Sequence, residues 1–178
     1  MKLPFSPVRR LTFSALMLAL AFVLPFFTGQ IPQIGAMLCP MHLPVLLCGF
    51  VCGWPWGLAV GAAAPLLRSL TLGMPPLFPT ALCMSFELAA YGAAAGLLMR
   101  RLPRRRGSLY AALLLTMVFG RLVWGAARWL CVGLGADAFG MAAFFAAAVT
   151  NALPGIALQL VLIPPLVTLL EQRRCIRN

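Results

Sequence analysis

The apolar positions of the chain gather into six runs, approximately 10–28, 43–53, 56–70, 80–99, 109–132 and 139–170, with arginine, glycine and proline collected between them. A run of about 20 apolar residues crosses a bilayer as a helix, so the pattern predicts an all-α membrane bundle. The breaks differ in kind. After the first run, GQIPQIGAMLCPMH is too long and too proline-marked for a tight turn and reads as a lid. GWPWG parts the second run from the third, its proline and glycines ending a helix and its tryptophans suiting an interfacial belt. TLGMPPLFP precedes the fourth run, an arginine cluster the fifth and GLGAD the sixth. The second and third runs are short for a span, which implies local thinning, tilt or a cavity at one end. The sixth is longer than one span, and Pro154, Gly155, Pro164 and Pro165 point to kinks or a helical entrance segment.

Composition agrees with this reading. Hydrophobic residues make up 62% and charged residues 10%, with mean hydropathy +0.97, whereas about a quarter of residues are charged in soluble domains. The chain reads as one integral membrane domain, 1–178. Its net charge of +11 raises nucleic acid as a partner, but eleven of the fourteen basic residues stand at run ends: Lys2, Arg9 and Arg10; Arg100, Arg101, Arg104, Arg105 and Arg106; Arg173, Arg174 and Arg177. The breaks after the first, third and fifth runs carry none. By the positive-inside rule this is a topology signal, with six spans, both termini cytoplasmic and no nucleic-acid partner. The apolar stretch Leu11 to Phe27 is long for a secretory signal and no small-x-small cleavage site follows, so it reads as a retained first span.

CPMHLPVLLCGFVCG, residues 39 to 53, places the lone histidine among three of the six cysteines. Cys39, His42, Cys48 and Cys52 are acceptable metal ligands, but their spacing fits no closed zinc pattern. Cys48, Cys52, Cys83 and Cys131 lie inside apolar runs, where a thiol is a small hydrophobe and no disulfide framework is implied. No metal and no cofactor is expected.

Removing the flanking basic residues leaves Arg68, Arg121 and Arg128 within spans, with Glu87 the acid and Asn151 a further polar group. Charges in hydrocarbon cost several kcal/mol and face the protein interior or a wet cavity. The predicted topology puts all five in the outer half, with Glu87 roughly 10 Å deep; Arg121 and Arg128, nearly two turns apart, share a face. One arrangement is a pocket open to the outside and roofed by the first and third external loops. The other is a structural ion pair, Glu87 with Arg121, with Arg68 and Arg128 snorkelling to the interface. One acid does not neutralise three arginines, and an anionic ligand supplies the missing charge. A carboxylate or phosphate suits the arginines and an amine or aminopyrimidine edge suits Glu87, as in a pterin, deazaguanine or pantothenate-like molecule. Phe78, Phe86 and Trp124 are candidate apolar walls.

No phosphate-binding loop, zinc-protease helix or serine-nucleophile elbow occurs, so no enzyme is expected. A membrane-embedded enzyme using Glu87 and His42 as acid and base is one alternative. A stand-alone transporter is another, but the inverted repeats it would carry are not visible.

Small residues recur four apart: Gly49 and Gly53, Gly57 and Gly61, Gly92 and Gly96, Ala15 and Ala19. In lipid such pairs let helices approach closely, and for the glycines packing within the bundle is expected. The alanine pair sits in RRLTFSALMLALAFVLPF, near the cytoplasmic start of the first span. With the long first loop, the short second and third spans, and PLLRSLTLGMPPLFPTALCMSFELAAYG, the chain over essentially its whole length resembles the substrate-binding S component of an energy-coupling factor (ECF) vitamin transporter. The resemblance implies capture of a small water-soluble vitamin or related heterocycle at the plasma membrane of a prokaryote. It also implies that Ala15 and Ala19 dock on a transmembrane T subunit, while two cytoplasmic ATPases power toppling of the S component in the lipid. Nickel and cobalt members of that family use a free N-terminal methionine followed by histidine as ligands. Here the chain starts Met1-Lys2 and Met41-His42 is internal, which argues against a metal and leaves His42 to hydrogen-bond substrate or cap the second helix.

Overall fold

The computed structural model describes residues 6–28, 37–103, 106–135, 140–146 and 152–172. Across them the regular structure is helical: α1 (Pro7–Val23) continuing into a 3₁₀ turn (Leu24–Thr28), α2 (His42–Cys52), α3 (Trp54–Leu72), α4 (Leu82–Arg101), α5 (Arg106–Gly133), a short α6 (Met141–Phe145) and α7 (Leu153–Gln172). Four stretches are long and apolar enough to cross a membrane: Pro7–Phe27, Leu77–Arg101, Gly107–Gly133 and Leu153–Leu170.

Local chemistry sets the helix ends. Ser6 Oγ accepts from the Arg9 amide at 3.3 Å, and Pro7 follows in the first turn, where no amide partner is needed. Gly53, at φ 94° and ψ 174°, separates α2 from α3 in a conformation that a side chain would strain. Gly73 closes α3 in the left-handed region, its amide donating to the Ser69 carbonyl. The region expected as one long sixth segment contains both α6 and α7. Pro154 lies in the first turn of α7, and the helix continues through Pro164 and Pro165.

α2 is central. Every one of its 11 residues except Leu43 is buried, with α1, α3, α4 and α7 packed around it. A helix apolar all round is stable only when covered all round, and here protein supplies the cover, so its length of about 16 Å need not match a bilayer. The cover is close because glycines remove side chains where α2, α3 and α4 meet. A Cβ at Gly49 or Gly57 would stand 2.5 Å from the Gly92 carbonyl oxygen. One at Gly61 would meet the Leu88 carbonyl, and one at Gly96 the backbone of Trp54. The four-residue glycine pairs thus serve packing inside the bundle, with Gly53 instead making the break.

The bundle's outward faces carry large apolar side chains, among them Leu16, Leu115, Val118, Leu122, Trp129 and Leu130, while Glu87, His42 and Arg68 are buried. That inversion of a soluble protein's surface fits surrounding lipid. One end of the bundle gathers basic groups: Arg9 and Arg10 open α1, Arg100 and Arg101 close α4, and Cys52 Sγ lies 3.8 Å from the Arg10 carbonyl oxygen. At the opposite end, Arg68 of α3 donates from Nη1 to the Phe22 carbonyl at 2.7 Å, its guanidinium 5.9 Å from the Phe22 ring centroid and 4.9 Å from that of Phe26. This fastens the end of α1 to α3.

Candidate ligand site

Glu87 and Tyr91 lie one turn apart on α4 and face the interior; Glu87 is 1% exposed. Arg121 reaches from α5, with Nη1 2.9 Å from Glu87 Oε1. The contact is ionic and lacks the direction of a good hydrogen bond. His42, the first residue of α2, brings Nε2 to 3.4 Å from the same oxygen. The Tyr91 ring stands edge-on to His42, centroids 5.1 Å apart at 70°, and its hydroxyl donates to the Met117 carbonyl at 3.3 Å.

The loop before α2 completes the cluster. Cys39 holds a left-handed backbone, φ 47°, which for a residue with a side chain costs on the order of 1–3 kcal/mol. Its carbonyl accepts from the His42 amide at 3.0 Å and so starts α2. Its sulfur accepts from Arg121 Nη2 at 3.5 Å. Burial pushes the Cys39 thiol above its usual range, so it meets the guanidinium as a neutral thiol. The loop backbone at Met37 and Leu38 packs on Gly155 of α7, where a Cβ would stand 2.7 Å from the Met37 carbonyl oxygen. Loop, α2, α4 and α5 therefore converge on one carboxylate.

Polar capacity is left over at His42 and Arg121 of this cluster and elsewhere in the interior. Among the described residues, both ring nitrogens of His42, Arg121 Nε, Thr116 Oγ1 and Gln159 Oε1 are buried without a hydrogen-bond partner within the chain. Each such group costs about 1–3 kcal/mol unless something bonds it. No group of three potential metal ligands occurs among the described residues.

Of the residues expected at a site, Glu87, Arg121 and His42 meet. Arg68 does not join them; its contacts are to Phe22 and Phe26. Arg128 is partly buried further along α5, within electrostatic range of Cys83. Asn151 lies outside the described residues. Phe78 and Phe86 are exposed on the outside of the bundle, and Trp124 is stacked on Phe144 with centroids 6.2 Å apart. Ala15 and Ala19 are exposed on α1, opposite the face formed by Ser14, Met17 and Ala21. Sequence reasoning passed over Cys39 as a partner for Arg121, and also Tyr91, Thr116 and Gln159. The four-residue step from Glu87 signals Tyr91, and the four-residue step from Gly155 places Gln159 on the buried face of α7.

A helical bundle with apolar side chains outward and an acid, an arginine and a histidine gathered inside is a membrane protein with an interior polar site. Residues 9–167 match the family described as ECF transporter, substrate-specific component, and the chain belongs to that family. Comparison with curated proteins and with solved structures finds no match. Membership makes the chain a substrate-binding component in the membrane and a transporter subunit, with a substrate and an ECF module as its general partners.

Proposed function

We propose that this chain captures a small water-soluble vitamin or related heterocycle from outside a prokaryotic cell for ATP-driven uptake, binding it at the Glu87–Arg121–His42 cluster. The observation that carries the reading is the concentration of buried, incompletely bonded polar groups around one carboxylate. A ligand with an acidic group and an amino-type edge satisfies both members of the pair: the acid accepts a forked contact from Arg121, and the amino edge donates to Glu87. His42 has capacity for further ring contacts, and Arg128 and Asn151 are proposed as additional ligand contacts. Arg68 adds positive charge near the mouth and holds α1 in place.

The arginine-rich end faces the cytoplasm under the positive-inside rule, which puts the Cys39 loop at the outer mouth as a lid. Both termini are then cytoplasmic, and α1, α2, α3, α4, α5 and α7 make the six passes. Ala15 and Ala19 form the docking face for the T subunit, which two cytoplasmic ATPases drive. The direct experiment is mass spectrometry of the small molecule released from the purified protein. The expected ligand carries both an acidic and an amino-type group; an uncharged ligand lacking both, or a bound metal ion, would overturn the assignment.

A further inference from the structure

One turn from the carboxylate along α4, two thiols stand side by side. Cys83, in the first turn of α4, and Cys131, in the last turn of α5, have their sulfurs 3.4 Å apart, with Cys83 0% exposed and Cys131 3%. Both are free thiols. Bonded sulfurs lie ~2.05 Å apart, so closure needs an approach of about 1.4 Å. The pair sits at the end of the bundle opposite Arg100 and Arg101, since α4 runs from Cys83 toward those arginines. That end is the outer one by charge placement, on the side where disulfides form and persist. The other close thiols differ on this point. Cys48 and Cys52 occupy successive turns of α2, and Cys52 lies beside the Arg10 carbonyl at the basic, reducing end.

We propose that Cys83 and Cys131 are an oxidation site at which a disulfide ties α4 to α5 across the open end of their hairpin. The oxidant is a disulfide of the external compartment, protein or small thiol. One cysteine thiolate attacks that disulfide, forms a mixed disulfide and displaces the first donor thiolate. The second cysteine thiolate then attacks the mixed disulfide, forms the intramolecular S–S bond and releases the second donor thiolate. Two protons leave the cysteines, and the two electrons reduce the donor to its dithiol form. Glu87 follows Cys83 by one turn of α4, so the bond fixes the spacing between the helices that carry Glu87 and Arg121. The Cys39 loop stays outside the closed ring.

The test uses the full chain in lipid nanodiscs, equilibrated with oxidised glutathione, denatured, alkylated and digested without reduction. A cross-linked peptide pair containing Cys83 and Cys131, two hydrogens lighter than the sum of the reduced peptides, is the expected product. The same pair should appear in protein taken from intact cells quenched with acid before alkylation. Reduction should lower the melting temperature of the oxidised wild type by several degrees and leave that of Cys131→Ser unchanged. Full alkylation of both cysteines after oxidation and in quenched cells would overturn the proposal. A bridge from either cysteine to Cys39 or to a second chain would do the same. The peptide measurement on the wild type stands even if the variant fails to fold.

Discussion

Two sets of small residues spaced four apart meet opposite fates in this protein. Gly57, Gly61, Gly92 and Gly96 are consumed between helices, each facing backbone so near that a single added carbon would collide. Ala15 and Ala19 lie on the exposed side of α1, one turn apart, with Val8 and Thr12 continuing the strip toward the basic end. Spacing alone does not distinguish them; what each faces does. Small residues facing inward record contacts already made within the chain. Small residues facing outward, on a helix whose other exposed positions include Leu11, Leu16 and Leu20, leave a shallow track that another helix can follow. The glycine seam builds the fold, and the exposed alanine strip is the face we propose for a partner.

This contrast sets the order of expected effects. Gly92→Leu drives a branched side chain into the Gly57 backbone and should cost about 3 kcal/mol or more; loss of a single symmetric peak in gel filtration and of a cooperative thermal melt would register it. Arg121→Ala removes the partner of a carboxylate buried to 1% and should destabilise by about 3–5 kcal/mol. The double variant Glu87→Leu with Arg121→Met should recover most of that melting temperature, because an apolar pair replaces a buried ionic one, yet bind no ligand. Recovery of ligand binding as well would reduce Glu87 and Arg121 to structural groups. Glu87→Gln, nearly isosteric, should weaken binding at least tenfold, about 1.4 kcal/mol, as read by calorimetry. Ala19→Trp should change stability by no more than about 0.5 kcal/mol and leave ligand binding intact, while abolishing ATP-driven uptake by the assembled transporter. Equal loss of binding and uptake would assign Ala19 to internal packing.

Much of the architecture is legible in the sequence because lipid imposes strict rules on helix length and charge placement. The apolar runs foreshadow α1 to α5 closely, and the family follows from features spread along the chain. Glu87 and Arg121 stand out for the same reason, as polar groups in apolar runs, and His42 as the lone histidine beside the cysteines of residues 39 to 53. The Glu87–Arg121 contact is one of the two arrangements the sequence offers, whereas the approach of His42 to the same oxygen is not. The second run is too short for a bilayer, and only the packing of α1, α3, α4 and α7 around α2 explains how it is accommodated. Both expected arrangements leave open what Arg68 touches; it lies where the Phe22 carbonyl is in reach, and Arg121 where Glu87 is. The role of Cys39 depends on a distance between elements far apart in the chain, 82 residues from Cys39 to Arg121, and no local pattern encodes it.

The proposed division between an inward site for ligand and an outward strip for a partner is tested most directly by transport in reconstituted vesicles. The chain alone should bind the ligand recovered from the purified protein but fail to concentrate it, and the same vesicles with the T subunit, both ATPases and ATP should accumulate it. Accumulation against a gradient by the chain alone would contradict the account.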